Sequence, residues 1–308
     1  MTKWTADDIP DQAGKTIVIT GANSGLGLRS AEALAAKGAR VMMACRNAAK
    51  AAPALVAVKA KATGPAPEVV ALDLASLASV RECAAQLAEE LDHLDVLMNN
   101  AGIMAVPKAV TVDGFESQLG TNHLGHFALT GLLLPALLAA PDARVVSVSS
   151  NAHKFGRMDL DDLFFERRHY SRWRAYGQSK LANLLFTSEL QRRAVDHRTA
   201  LTAAAAHPGY SATNLTSGPA SGAAFLRPIL ALGDRVIGQP DHMGALPQLY
   251  VATMPDVLAD DYWGPDAFRE QRGHPTRVGR TAKALDTDAA HRLWDRSEEL
   301  TGVIYPWP

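Results

Sequence analysis

A tyrosine and a lysine stand four residues apart in the segment Tyr176-Gly-Gln-Ser-Lys180. The segment opens an apolar stretch of helical periodicity, and residues four apart share one face of a helix. A tyrosine ordinarily keeps its proton up to a pKa of about 10, and a nearby ammonium group stabilises the phenolate. The pair therefore has the chemistry of an acid/base catalyst near neutral pH. Solvated helices carry such pairs by chance, so the spacing alone leaves both interpretations open.

Two serines, Ser149 and Ser150, end a β-branched run that has the composition of a strand. Open α/β sheets bind their ligands at the carboxyl ends of their strands. A hydroxyl at this position is suited to hold the oxygen of a substrate beside Tyr176. Of the two serines we favour Ser150, and its placement with Tyr176 and Lys180 favours the catalytic interpretation.

A glycine-rich turn, TGANSGLG, follows the first predicted strand. A strand, a turn and a helix N-terminus in this order suit a nucleotide pyrophosphate, because the first N–H groups of a helix lack partners. Gly21 permits a tight turn, Gly25 lets the backbone approach a phosphate, and Gly27 lets the helix pack on the sheet. Glycines also serve plain tight turns. The predicted contacts to the cofactor are Gly21, Asn23, Ser24, Gly25, Leu26 and Gly27.

The end of the second predicted strand bears on the choice of cofactor. NAD-binding proteins keep an acidic residue near this point for the ribose hydroxyls, whereas this chain has Arg46. The planar guanidinium pairs well with a 2′-phosphate, so Arg46 predicts NADP(H); a solvated arginine is the alternative. After the third strand, Asp73 is suited to bond the adenine amino group or to cap the next helix. Leu74 is assigned to the same cofactor site.

The elements that must position these residues alternate as in an α/β protein. Candidate strands are separated by alanine- and leucine-rich helical segments, which is typical of βαβ units and a parallel sheet. We predict a doubly wound parallel sheet of Rossmann type in three αβα layers. The strands are expected at Thr16–Thr20, Arg40–Ala44, Glu68–Leu72, Val96–Asn99, Arg144–Ser149 and Leu201–Ala206, and the helices at Leu26–Lys37, Asn47–Lys61, Leu77–Leu91, Phe115–Leu138 and Ala175–Val195.

The chain is predicted to form a single domain over residues 1–308, with a core at about 15–214 and a C-terminal elaboration that shapes the substrate pocket. From Asn214 onward the strand signal fades. The stretch Ser217–Gln239 is rich in Gly, Pro and Ala, which predicts a flap over the pocket or an ordinary surface connection. The aromatic residues of the C-terminal part either line the pocket or pack in the core; they are Tyr262, Trp263, Phe268 and Trp294.

The composition argues against several classes of partner. The 308 residues carry 31 basic and 32 acidic side chains, so no global field attracts nucleic acid or an anionic membrane. The two cysteines, Cys45 and Cys83, belong to no CxxC pair or metal-ligand cluster, and we predict no metal site. The start of the chain resembles neither a signal peptide nor a membrane anchor. We expect a cytoplasmic protein that acts on a small molecule.

These motifs together resemble the short-chain dehydrogenase/reductase superfamily over residues 15–214. The resemblance rests on TGANSGLG, on NNAG at Asn99–Gly102, on Ser150, on Tyr176 with Lys180, and on HPG at 207–209. Segments such as MACRN, TNHLGHF, SVSSNAH and YGQSKLANLLF look most like the branch of retinol dehydrogenases and WW-domain oxidoreductases. Light-dependent protochlorophyllide reductases are a neighbouring group.

The resemblance implies a role for each matched residue. Tyr176 would be the acid/base, Lys180 would contact the nicotinamide ribose and lower the tyrosine pKa, and Ser150 would orient the carbonyl. The backbone of Asn122 would help to hold a water against the lysine and complete a proton relay. Other residues would flank the adenine ribose, the nicotinamide or the phosphates, namely Asn100, Ala101, Gly102, Pro208, Gly209 and Thr213.

The implied activity is NADP(H)-dependent interconversion of an alcohol and a carbonyl on a lipophilic or aromatic molecule. Reduction of a conjugated C=C bond remains an alternative, as does a catalytically silent NADP-binding sensor or scaffold. Family members often form homodimers or homotetramers through the helices that hold Asn122 and Tyr176. The segment between Ser150 and Tyr176 is longer than usual for the family. It either shapes a substrate entrance, contacts a protein, or forms an exposed excursion, which we favour slightly.

Overall fold

The computed structural model describes residues 3–210 and 239–308, and these ranges contain an eight-stranded sheet. The strands are β1 (Thr16–Thr20), β2 (Arg40–Cys45), β3 (Glu68–Ala71), β4 (Val96–Asn99), β5 (Arg144–Val148), β6 (Thr202–Ala206), β7 (Tyr262–Ala267) and β8 (Arg272–Arg277). Their order across the sheet is β3-β2-β1-β4-β5-β6-β7-β8. Neighbouring strands pair in parallel except β7 and β8, which are antiparallel. The predicted doubly wound sheet of Rossmann type is confirmed.

The strand order reverses beside β1, which lies between β2 and β4. The chain builds outward from β1 to β3 on one side and from β4 to β8 on the other. Such a reversal opens a crevice outside the carboxyl ends of the strands, where ligands bind in open α/β sheets. The glycine turn leaves β1 at this point, and the Gly21 N–H donates to the Ala44 carbonyl at 2.8 Å, which joins the turn to β2.

Ten α-helical segments accompany the strands in the described part of the chain. They are α1 (Gly25–Ala35), α2 (Ala48–Lys59), α3 (Leu77–Glu90), α4 (Ser117–Leu119), α5 (Gly125–Leu132), α6 (Leu134–Ala139), α7 (Arg172–Asp196), α8 (Asp241–Gly244), α9 (Leu246–Thr253) and α10 (Thr287–Thr301). Within these two ranges, none of the helices has both the length and the apolar character that a bilayer crossing requires.

The helix predicted at Phe115–Leu138 is not continuous. A π-helical turn at Gly120–Leu124 separates α4 from α5, and Pro135 lies in the first turn of α6. Such turns frequently mark functional sites, because the wider turn redirects its side chains. Asn122 lies in this π turn, so the departure from the predicted helix falls on a residue that the resemblance assigns to the relay.

Strands β7 and β8 lie beyond Asn214, where the sequence predicts no strand. Both contain Gly and Pro, which weaken the local preference for a strand. Their ladder is irregular, with Pro265 opposite Pro275 and a shift of register before Ala267. In the part of the chain that the structure describes, β8 lies at an edge of the sheet and pairs with β7 alone, which explains its tolerance of Pro275. Pro265 of β7 lies beyond Tyr262 and Trp263, the residues that pair with β6.

Apolar side chains on the two faces of the sheet make separate cores. On β1, Ile17 and Ile19 face one layer of helices and Val18 faces the other, as the alternation of a strand requires. This arrangement confirms the three αβα layers. The C-terminal aromatic residues divide between core and surface: Tyr262, Trp263 and Trp294 are buried, whereas Phe268 is 72% exposed.

Candidate active site

Ser150 and Tyr176 are brought together by β5 and α7. Ser150 follows β5 and caps the 3₁₀ turn Asn151–Phe155, its Oγ accepting from the Ala152 N–H at 3.1 Å. The same side chain lies close to the hydroxyl of Tyr176, which is 7% exposed. Burial raises the pKa of Tyr176 to about 12, and the nearby Ser150 side chain offsets part of this rise. The predicted serine and tyrosine are therefore neighbours in the structure.

Lys180 lies one helical turn after Tyr176, with its Nζ 5.8 Å from the centre of the tyrosine ring. The ammonium donates to the Val148 carbonyl at 3.0 Å. Burial lowers the pKa of Lys180 to about 8. The charge of Lys180 alone would lower the pKa of Tyr176. The pKa of Tyr176 nevertheless rises, because burial disfavours its charged phenolate form, just as burial disfavours the charged form of the lysine.

The glycine turn has the shape that a phosphate group needs. Gly21 and Gly25 have φ of 69° and 52°, in the left-handed region that favours glycine. A Cβ on Gly27 would lie 2.5 Å from the Gly21 carbonyl oxygen. Ser24 makes no side-chain cap to α1, and the first turn of α1 has no acidic residue. The N–H groups at this helix terminus are thus suited to an anion, which fits a dinucleotide pyrophosphate.

Replacing Gly27 with Ala provides a test of this turn. The added Cβ would meet backbone atoms 2.5 Å away, so the turn must shift. We expect the free energy of unfolding to fall by about 1–3 kcal/mol and NADPH binding to weaken, as measured by chemical denaturation and by titration. Gly279→Ala is the matched control, since a Cβ there meets nothing within 4 Å. Equal NADPH affinity of Gly27→Ala and the parent would contradict the close approach of a phosphate to this turn.

The NNAG segment is tied to the glycine turn through Thr20. The Thr20 hydroxyl accepts from the Asn100 and Ala101 N–H groups at 3.0 and 2.9 Å, and the Asn100 amide donates to the Thr20 carbonyl at 2.7 Å. His126 Nε2 lies 2.9 Å from the same hydroxyl. Gly102 lies beside the lysine, where a Cβ would be 3.5 Å from Lys180 Nζ. This network connects the predicted cofactor turn with the predicted catalytic groups.

Asn122 is buried in the π turn and holds the segment after NNAG. Its side chain accepts from the Ile103 N–H at 2.8 Å and donates to the Ile103 carbonyl at 2.9 Å. Its amide also bonds Ser179 at 2.9 Å. The Asn122 carbonyl, which the resemblance assigns to a relay water, accepts from His126 Nδ1 at 3.0 Å.

Arg46 is the first residue after β2, and its side chain is exposed. The bend that contains it precedes Asn47, which caps α2 by accepting from the Lys50 N–H at 2.9 Å. Because β1 and β2 are parallel neighbours, the carboxyl end of β2 and the glycine turn lie at the same edge of the sheet. Arg46 therefore lies at the position where the sequence predicts a contact to a 2′-phosphate.

Asp73 and Leu74 follow β3 at the same edge. Asp73 Oδ1 accepts from the Ala75 N–H at 3.0 Å. The cap of α3 is Ser76, so the alternative in which Asp73 caps that helix is wrong. Leu74 is buried against α5, where a Cβ on Gly125 would lie 2.4 Å from the Leu74 carbonyl oxygen.

A comparison with protein families bears on this arrangement. The family model described as short chain dehydrogenase matches residues 15–222. The chain belongs to the short-chain dehydrogenase family. It lies in the retinol-dehydrogenase-like branch of this oxidoreductase family. It is 38% identical to retinol dehydrogenase 13 of Homo sapiens over 300 residues, covering 95% of this chain and 86% of that one. It is 41% identical to retinol dehydrogenase 14 of Mus musculus over 304 residues, covering 94% and 87%.

Solved structures support the same assignment. An uncharacterized protein from Mycobacterium Paratuberculosis is 48% identical, with a TM-score of 0.82 over 99% of this chain and 100% of that chain. The RhlG protein of Pseudomonas aeruginosa, solved as an active-site complex with NADP, is 25% identical, with a TM-score of 0.61 over 79% and 91%. These two structures therefore share the fold of this short-chain dehydrogenase over most of its chain.

The HPG segment of this short-chain dehydrogenase follows β6, at the carboxyl edge of the sheet. Gly209 has a φ of 65°, and a Cβ there would lie 2.3 Å from the Gln271 carbonyl oxygen. The Pro208 carbonyl accepts from Gln239 Nε2 at 2.7 Å. Thr213 and most of the predicted flap Ser217–Gln239 lie outside the described residues.

The segment between Ser150 and Tyr176 is packed in part, so the exposed excursion favoured from the sequence describes only some of its residues. Leu163 and Phe165 are buried. The Leu163 carbonyl accepts from Gln178 Nε2 on α7 at 2.8 Å. The segment thus supports the helix that presents Tyr176.

Gln248 is a site residue that sequence reasoning missed. It lies on α9, and its Nε2 donates to Asn100 Oδ1 at 3.1 Å and to Ser30 Oγ at 2.7 Å. The signal in the sequence is one amide inside the apolar run LPQLYVAT, which no motif singles out. Its partners are distant in sequence, so only the fold identifies them.

His126 predicts a dependence of stability on pH. Burial lowers the pKa of His126 from 6.5 to about 4. Between these pH values the unfolded chain therefore binds more protons than the folded protein, and the folded protein becomes less stable as the pH is lowered. Because of this residue, we expect the free energy of unfolding to be roughly 1–3 kcal/mol lower at pH 4 than at pH 7. Denaturation at several pH values checks this: His126→Gln should show a shallower decline than the parent, and parallel curves would contradict it.

Proposed function

We propose that this short-chain dehydrogenase is an NADP(H)-dependent oxidoreductase that interconverts an alcohol and a carbonyl on a lipophilic or aromatic small molecule. The observation that carries the proposal is the placement of Ser150 next to Tyr176, beside buried Lys180. These groups lie at the edge of the sheet that also bears the glycine turn. A proton donor and a nucleotide site at one edge are what hydride chemistry requires.

The glycine turn and Arg46 support the choice of NADP(H). The helix terminus suits the pyrophosphate, and the exposed guanidinium suits the 2′-phosphate. RhlG, a 25% identical structural relative, was solved with NADP. When bound, the nicotinamide supplies a hydride for reduction and accepts one in oxidation. The other residues assigned to hold the cofactor are Asn23, Ser24, Leu26, Asp73, Leu74, Asn100, Ala101, Gly102, Pro208, Gly209 and Thr213.

Tyr176 moves the proton. It donates its phenolic proton to the carbonyl oxygen in reduction and takes a proton from the alcohol in oxidation. A pKa of about 12 keeps the phenol protonated at neutral pH, which suits donation. The Lys180 ammonium stabilises the phenolate that remains, and Ser150 donates a hydrogen bond to the same substrate oxygen. Asn122 extends the group into a proton relay toward the lysine.

Two exposed aromatic side chains beside Tyr176 support a lipophilic substrate. Phe155 and Trp173 are 52% and 54% exposed. The Phe155 ring lies against Gly177, where a Cβ would be 2.9 Å from it. The Trp173 ring meets the Tyr176 ring edge to face at 6.3 Å. Two relatives are named retinol dehydrogenases. Retinol is an apolar polyene alcohol, and a substrate of this kind agrees with the apolar surface.

The experiment is a screen of carbonyls and alcohols with NADPH or NADP, followed by identification of the product by mass and NMR. We expect an aldehyde or ketone to yield the alcohol. A product saturated at a C=C bond would instead support reduction of a conjugated alkene. Tight NADPH binding with no turnover across the panel would support a silent sensor or scaffold.

A further inference from the structure

The turn between β7 and β8 lies against both segments that flank the active site. Its residues Phe268, Arg269 and Glu270 have φ of 51°, 55° and 65°. Three successive left-handed residues with a Cβ are costly, and such a conformation persists only where its surroundings fix it. The contacts of this turn are therefore expected to be specific rather than incidental.

Glu270 holds the turn that follows Ser150. The Lys154 ammonium lies 2.8 Å from Glu270 Oε2, and the Asn151 amide donates to the Glu270 carbonyl at 3.2 Å. Both partners belong to the 3₁₀ turn capped by Ser150. The His153 N–H donates to the Ser150 carbonyl at 3.0 Å, so a displacement of this turn would reach the serine directly.

The same carboxylate faces the HPG segment. His207 Nε2 is buried 3.6 Å from Glu270 Oε2. Its Nδ1 accepts from the Gly209 N–H at 3.2 Å, which places the ring hydrogen on Nε2; that nitrogen makes no hydrogen bond among the described residues, and the Glu270 carboxylate is a charged group near it. Strand β7 leaves room for the ring, because a Cβ on Gly264 would lie 2.0 Å from Nε2. One carboxylate thus contacts two walls of the site from outside it.

We propose that Glu270 is a positioning residue that fixes the Ser150 turn relative to the Pro208–Gly209 turn. This inference rests on the proposed function, in which Ser150 orients the substrate oxygen and Pro208 with Gly209 borders the nicotinamide. In this role Glu270 acts through the two turns rather than by contact with substrate or cofactor. Its loss should therefore misalign the reacting groups more than it weakens the binding of the cofactor.

Glu270→Gln and Lys154→Met test the role in turnover. We expect Glu270→Gln to lower kcat by about 5- to 20-fold and Lys154→Met by about 3- to 10-fold, since small misplacements of reacting groups cost rate. The KM for NADPH should stay within about twofold of the parental value, because we expect the interactions that bind the ground state and the transition state equally to be kept. Glu68→Gln is the matched control, because its ion pair with Arg40 at 3.0 Å lies at the opposite edge of the sheet. A parental kcat in both Glu270→Gln and Lys154→Met would overturn the proposal.

Hydrogen exchange of the purified protein without cofactor gives a readout that needs no activity. We expect Glu270→Gln to speed amide exchange in peptides covering 151–156 and 207–210, and Glu68→Gln to leave both unchanged. Unchanged exchange in both peptides of Glu270→Gln would overturn the positioning role. Faster exchange in an enzyme that turns over no carbonyl would uphold the positioning role and contradict the proposed function, so the two failures are distinguishable. Lys154 is partly exposed, so Lys154→Met provides the same exchange test should Glu270→Gln fail to fold.

Discussion

Tyr176→Phe lowers kcat/KM for carbonyl reduction by about 100- to 10,000-fold, the range expected for loss of a positioned acid. The substitution removes one hydroxyl, which lies close to Ser150, and keeps the buried ring. Because the cofactor turn is unaffected, the dissociation constant for NADPH should stay near that of the parent. Steady-state kinetics and a fluorescence titration measure the two quantities.

Tyr250→Phe is the matched control for this substitution. The Tyr250 hydroxyl bonds the carboxylate of Asp256 at 2.8 and 3.0 Å, away from Ser150 and Lys180. We expect parental turnover from this variant. A Tyr176→Phe enzyme that reduces its substrate at the parental rate would assign the acid to another group.

Arg46→Gln raises the dissociation constant for NADPH by about 10- to 100-fold, because a charged hydrogen bond contributes about 1.5–3 kcal/mol. NADH lacks the 2′-phosphate, so its affinity should change less than about threefold. The parental preference for NADPH should also weaken as salt is added, since Arg46 is exposed and its charge is screened. Titration of both cofactors with both proteins measures the effect.

Arg292→Gln is the control for the change of charge. Arg292 lies on α10, more than half exposed, 3.7 Å from Asp288. Its loss alters the net charge equally but removes no group from the predicted cofactor site. If Arg46→Gln weakened NADPH and NADH by the same factor, or if the parent bound NADH more tightly, the 2′-phosphate assignment would fail.

The first five strands and the glycine turn were predictable because each is encoded locally, whereas the alanine-rich β6 has a weak local preference for a strand. Thr16–Thr20 and Val96–Asn99 are short β-branched or apolar runs, and the structure has them with the predicted bounds. Residues assigned to one edge from strand ends meet there because parallel strands share a direction. Ser150, Tyr176 and Lys180 follow from this logic, although their catalytic role stays a prediction.

Other features depend on the environment of a residue. The pattern Tyr176-x-x-x-Lys180 indicates proximity, yet the direction of the tyrosine pKa shift depends on burial. The π turn at Gly120–Leu124 replaces regular helix where Asn122 bonds Ile103 and Ser179. Neither burial nor these partners can be derived from helical periodicity.

The C-terminal part was the least predictable. Strand β7 contains the Gly-Pro pair of YWGPDA, which reads locally as a turn. It becomes a strand because β6 offers it a parallel ladder at Ala205 and Ala206. Gln248 and Glu270 gain their roles only through partners far away in sequence.

Transfer of deuterium from NADPH labelled at nicotinamide C4 tests hydride transfer to a carbonyl most directly. The substrate is a carbonyl that the parent enzyme reduces, and the product is examined by mass and NMR. We predict an alcohol with one deuterium on its carbinol carbon, formed by the parent and formed far more slowly by Tyr176→Phe. A product without deuterium, or with deuterium on a former alkene carbon, would contradict the proposed reaction.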